Sequence, residues 1–120
     1  MTALLIVVGR FLLGLMFVIA GARNFLHLSE RQAQQTNYGF PLPAWLVVIG
    51  FAVQLLGGLS VLLGLWPAWG ALGLIAFIVP ATAFYHNLFM FAGKERDPHL
   101  YLVTVNAALC GACLLVIALG

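Results

Sequence analysis

Charge is what this sequence has least of. Its 120 residues include five basic and three acidic side chains, 7% of the whole, where soluble domains carry roughly 25%. A chain so poor in charge cannot cover a globule with polar groups, so a soluble fold is excluded. The net charge of +2 is too small for a nucleic-acid footprint, and no nucleic-acid partner is expected. A Gly-rich phosphate loop, a Ser-centred nucleophile elbow and zinc-ligand spacing are also lacking. That removes the common nucleotide-binding, hydrolase and structural-zinc classes. His27, His86 and His99 follow no ligand spacing, and no metal is expected. No C-x-x-C-H occurs, so covalent haem is excluded too. The first apolar segment has no basic stretch before it and outlasts the about 7–15 residues of a signal-peptide core, so a retained helix is expected there.

What is present is hydrophobicity, 64% of the chain. It falls into four runs, residues 3–26, 43–65, 68–92 and 99–119. Each is near the ~20 residues a helix needs to cross hydrocarbon. None shows the alternation of a barrel strand, and in lipid only helices and closed barrels satisfy every backbone group. The expected fold is all-α, an antiparallel four-helix transmembrane bundle forming a single domain over 1–120. The polar loop 27–42 has room for a short interfacial helix, since Ser29 and Gln32 stand at capping-box spacing. The turn "WPAW" at 66–69 is tight, with Trp at the interface and Pro67 suited to a helix start. The loops after runs 1 and 3 share one side, A; the termini and the 66–69 turn share side B. Arg23, Arg31, Lys94 and Arg96 fall on side A and only Arg10 reaches side B, so the positive-inside rule puts the termini outside.

Inside the runs, polar residues sit among glycines. Arg10, Gly14, Phe17, Gly21 and Asn24 share one face of the first helix; Gly50, Gln54, Gly57, Val61 and Gly64 share one face of the second. Small residues let membrane helices approach closely, so both faces read as helix contacts. Pro80 removes the partner of the Ala76 carbonyl in the third helix. A helical rise of about 1.5 Å per residue puts Asn24, His86 and Asn106 at one polar level toward side A, with Gln54 near the midplane and Arg10 toward side B. Arg10 has two readings: it snorkels to side B, or it turns inward toward Gln54, backbone carbonyls or a ligand's oxygens. His86 likewise either makes a structural hydrogen bond or serves a ligand or proton. Asn106 and Gln54 alone read as interhelical ties. Cys110 and Cys113 match C-x-x-C, but they lie deep in an apolar helix and read as packing residues.

"GRFLLGLMFVIAGARNF", "GFPLP", "GFAVQLLGGLSVLLGL", the His of "TAFYHN" and "NAALCGACLL" together resemble the DoxX family of small four-helix bacterial membrane proteins. The resemblance covers nearly the whole chain. It matches Arg10, Gly57, Gly58, His86 and Asn106 to the family's positions. It departs at Gln54, where the family often has Glu, and an amide there offers hydrogen bonds but no proton acceptor. The resemblance implies a subunit of a quinone-linked redox complex in the bacterial inner membrane, with quinone as the expected cofactor. Other subunits, or further copies of the chain, and membrane lipid are the expected partners. His86, Asn106, Asn24, Arg10 and Gln54 are the candidate ligand-binding residues. A non-catalytic scaffold or assembly subunit is the alternative. A small-solute transporter is weaker, because no paired inverted repeat is evident.

Overall fold

A computed structural model describes residues 1–86 and 93–119, without the side chain of Glu95. The chain runs through α1 (Thr2–Leu26), α2 (Leu28–Ala33), α3 (Ala44–Leu63), α4 (Pro67–Tyr85), a 3-10 turn (Gly93–Glu95) and α5 (Arg96–Leu119). The fold is all-α, and α1, α3, α4 and α5 are each long and apolar enough to cross a membrane. The third apolar run extends to residue 92 in the sequence; α4 is described to Tyr85, and 87–92 fall outside the described residues. The helix expected from 99 starts at Arg96, with Asp97 in its first turn, where a negative charge suits the helix dipole.

Turn chemistry fixes the ends. Gly64 closes α3 at φ 73, a left-handed conformation that a Cβ would oppose. Trp66, at φ 46, precedes Pro67 as the first residue of α4. The Ser60 hydroxyl donates to the carbonyls of Leu65 and Trp66, which ties this side-B turn back to α3. On side A the expected short helix is α2, but the Ser29–Gln32 capping box does not form. Ser29 lies already inside the helix, His27 occupies the cap without a side-chain bond, and the Gln32 amide donates instead to the Ala44 carbonyl, 3.2 Å.

The order of packing is α1 on α3, α3 on α4 and α4 on α5, each pair antiparallel. α1 and α5 scarcely approach one another, so the helices form a curved row, 47 × 30 × 18 Å in extent. Glycines set the closest contacts. A methyl on Gly14 would lie 2.5 Å from the Leu62 amide nitrogen, and one on Gly58 would lie 2.8 Å from the Phe17 Cβ. Gly57 faces the other way, where its Cβ would meet the Gly70 carbonyl at 3.0 Å. The glycines of α3 thus serve two neighbours. Gly64, read as part of the same contact face, is a helix cap instead.

This packing shifts α1 toward side B relative to α3. Gly14 meets α3 near Gly58, and Gly21 meets it at Leu55. The last turn of α1 therefore reaches only the middle of α3. α2 and the loop up to Pro43 occupy the step. The common core is Phe17, Val61, Ala71, Leu74, Ile78, Cys113 and Val116. Cys113 is fully buried in it and neither cysteine forms a disulfide, in keeping with a packing role. Trp45, Trp66 and Trp69 are exposed near helix ends, where indoles suit the membrane interface.

Candidate functional site

The α1–α3 register brings Asn24 to Gln54. The Asn24 amide donates to the Gln54 side-chain oxygen at 2.8 Å, and Arg31 Nε from α2 donates to Asn24 Oδ1 at 3.1 Å. A relay of three polar groups thus runs from the side-A loop to a Gln that is 6% exposed. Here the structure corrects the depth reading: Gln54 is no partner of Arg10 but the floor beneath Asn24. The shift of α1 is the cause, because it lowers Asn24 to Gln54's level and carries Arg10 past the end of α3.

On the other side of the row, Asn106 of α5 donates to Thr82 Oγ1 of α4 at 2.9 Å. Thr82 in turn donates to the Ile78 carbonyl, within the turn that Pro80 interrupts. His86 is the C-cap of α4 and stands just past its last turn. Its Nδ1 lies 2.9 Å from Nδ1 of His99, in the first turns of α5. Two imidazoles joined through Nδ1 need one ring to donate and the other to accept, so the bonded pair has opposite tautomers. Burial first, and His99 second, push the His86 pKa below its ordinary value.

Asn24, Arg31, His86 and Asn106 line one pocket of about 480 Å³. Its walls are apolar, formed by Val47 and Phe51 of α3 and by Phe77 and Phe84 of α4 among others; Ala76 and Pro80 line it as well. Volume and lining match small-molecule sites, which are largely apolar with a few placed polar groups. Near the α4 side of the mouth lies a short loop. Thr36, 6% exposed, accepts and donates within it: its amide and hydroxyl both donate to the Phe40 carbonyl, and it accepts from Tyr38. Asn37 then caps α4, its backbone N–H donating to the Phe84 carbonyl at 2.7 Å, while Tyr38 meets the Phe84 ring edge-on.

Arg10 lies apart. It stands fourteen residues before Asn24, about 21 Å away along α1. Its guanidinium rests against Gly64, 3.4 Å from where a Cβ would stand, at the C-terminal end of α3. The two readings of Arg10 therefore merge: the side chain lies on the α1–α3 face and reaches the side-B turn. A cation there complements the negative end of the helix dipole.

Of the five sequence candidates, three line the side-A pocket, Gln54 underlies it through Asn24, and Arg10 belongs to another region. In the sequence His99 is a histidine without ligand spacing, and Asn37 is one residue of the polar loop 27–42. Their roles depend on where the ends of α4 and α5 meet, and spacing along the chain carries no signal of that. Asn87, the residue after His86, lies outside the described residues.

Neither curated proteins nor solved structures gave a match to the chain. The family model for DoxX matches residues 5–87, well over half of its length, and this multi-pass membrane protein belongs to the DoxX family.

Proposed function

We propose that the protein is a membrane subunit of a quinone-linked redox complex and that the side-A pocket receives the quinone head. The observation that carries this reading is the lining of that pocket, an apolar chamber with His86, Asn106 and Asn24 among its few polar groups. The residues fit such a guest: apolar walls suit the ring and tail, and imidazole and amide groups suit the ring oxygens. A quinone bound there would supply electron and proton uptake.

The protein's own part is to bind, orient and protonate. Nδ1 of His86 is engaged with His99, which leaves Nε2 for a ligand. When His99 donates, His86 carries its proton on Nε2 and can give a hydrogen bond to a carbonyl oxygen. If His86 gives its Nε2 proton to the ligand, the His99 Nδ1 proton can cross the 2.9 Å gap to His86 Nδ1 while His99 takes up a replacement at Nε2, so the pair would pass one proton from the side-A end to the pocket. Gln54 adds no acid–base chemistry; it holds Asn24.

The location that goes with this reading is the bacterial inner membrane with both termini outside, supported by the gathering of Arg23, Arg31, Lys94 and Arg96 on side A. A light-activated azidoquinone tests the function. Labelling should fall on the pocket walls of α3 and α4 and be displaced by unlabelled quinone. Labelling spread over the lipid-facing surface, with no displacement, contradicts it.

One observation favours the scaffold alternative. The Asn24 amide is committed to Gln54 and the Asn106 amide to Thr82, as ties between helices require. Under that reading the azidoquinone shows no saturable site, and loss of either tie weakens only folding or assembly.

A further inference from the structure

The gap between α1 and α5 is a second cleft, of about 340 Å³, toward side B. Its walls are apolar, with Leu5, Ile6 and Leu13 on one side and Leu115, Val116 and Leu119 on the other. One charged group lines it, Arg10. The Arg10 Nε is buried and has no hydrogen-bond partner. A guanidinium carries five donors, and no described carboxylate pairs with this one. A buried donor left without a partner is costly, more so for a charged group. Beside Arg10 stands Gly9, which also lines the cleft. A Cβ built on Gly9 meets nothing within 4 Å, so the wall of α1 is open at that point.

From this charge complementarity we infer that the α1–α5 cleft holds one anionic phospholipid, its phosphate against Arg10 beside the open wall at Gly9 and an acyl chain running toward the midplane along Leu13, Ala112 and Val116. The guanidinium lies beside the side-B turn that bears the exposed Trp66 and Trp69, the level where lipid headgroups meet a membrane protein. Arginine is suited to phosphate because its planar fork bonds two oxygens at once. The bound lipid would close the row of helices where α1 and α5 fail to meet. This site is separate from the side-A pocket and does not depend on what that pocket binds.

The test uses the detergent-purified full chain with dioleoyl phosphatidylglycerol and dioleoyl phosphatidylcholine, read by native mass spectrometry and by melting temperature. The wild type should bind phosphatidylglycerol about ten-fold more tightly than phosphatidylcholine, whose choline cation offsets the charge of its phosphate beside Arg10. Arg10→Gln should bring that affinity down to the phosphatidylcholine level. Gly9→Leu should do the same by filling the cleft beside Arg10, and its Cβ meets no protein atom within 4 Å. Should Arg10→Gln fail to fold, Gly9→Leu decides. A Gly9→Leu protein that melts like wild type without lipid yet binds phosphatidylglycerol as wild type does overturns the inference. So does equal affinity of the wild type for the two lipids, or equal stabilisation by inorganic phosphate alone.

Discussion

Asn24 and Gln54, thirty residues apart in sequence, are joined side chain to side chain at 2.8 Å. One is in the last turn of its helix and the other near the middle of its own. That pairing records the displacement of α1 along α3, and the displacement decides which residues reach the side-A pocket.

The pair should couple energetically. Asn24→Ala and Gln54→Ala should each lower stability in detergent. A double-mutant cycle should give a coupling of about 0.6–1.7 kcal/mol, the range for hydrogen bonds between membrane helices. Strict additivity would mean the two amides act independently.

Glycine contacts should be unequal. Gly58→Leu forces a side chain into the backbone of α1 and should cost about 1–3 kcal/mol or more. Gly111→Leu, where a Cβ meets nothing within 4 Å, should leave the melting temperature unchanged. Equal losses at the two sites would contradict the α1–α3 crossing.

Gly64→Ala should cost about 1–2 kcal/mol, because the position is left-handed. It also brings a methyl to the Arg10 guanidinium. If Gly64→Ala is as stable as wild type, α3 does not end in this conformation.

Stability should depend on pH through His86. Its folded pKa lies below the ordinary 6.5, so just beneath that value the unfolded chain binds more protons than the folded one. Stability is therefore full above the ordinary value and is lost as pH falls toward the folded one. The facing groups are His99 across the bond, with Lys94, Arg96 and Asp97 near it in sequence. Lowering the pH from about 7.5 to about 5.5 should lower the melting temperature of the wild type more than that of His86→Gln. Identical slopes would move the titrating group elsewhere.

The spanning helices could be read from sequence because hydrocarbon thickness dictates their length, and no soluble constraint blurs the runs. The grouping of Asn24, His86 and Asn106 also followed from counting residues inward from side A. The same count failed for the pairing of Gln54 with Arg10, since it treats every helix as starting at one plane. The start of α3 stands well outside the end of α1, a step created by the fit of Gly14 against Gly58. Ser29 misled for a related reason: capping spacing was present, but α2 begins one residue earlier and Gln32 found Ala44. His99 carried no periodic signal, and only the meeting of α4 with α5 joins it to His86.

The most direct measurement is equilibrium binding of a short-tailed quinone to the purified protein, compared across wild type, His86→Ala and His86→Gln at matched stability. Saturable binding by the wild type is expected, with a loss of about ten-fold or more in His86→Ala and substantial recovery in His86→Gln, which keeps a hydrogen-bonding group. Unsaturable partitioning that is the same for all three proteins would contradict it and leave the polar residues as ties between helices.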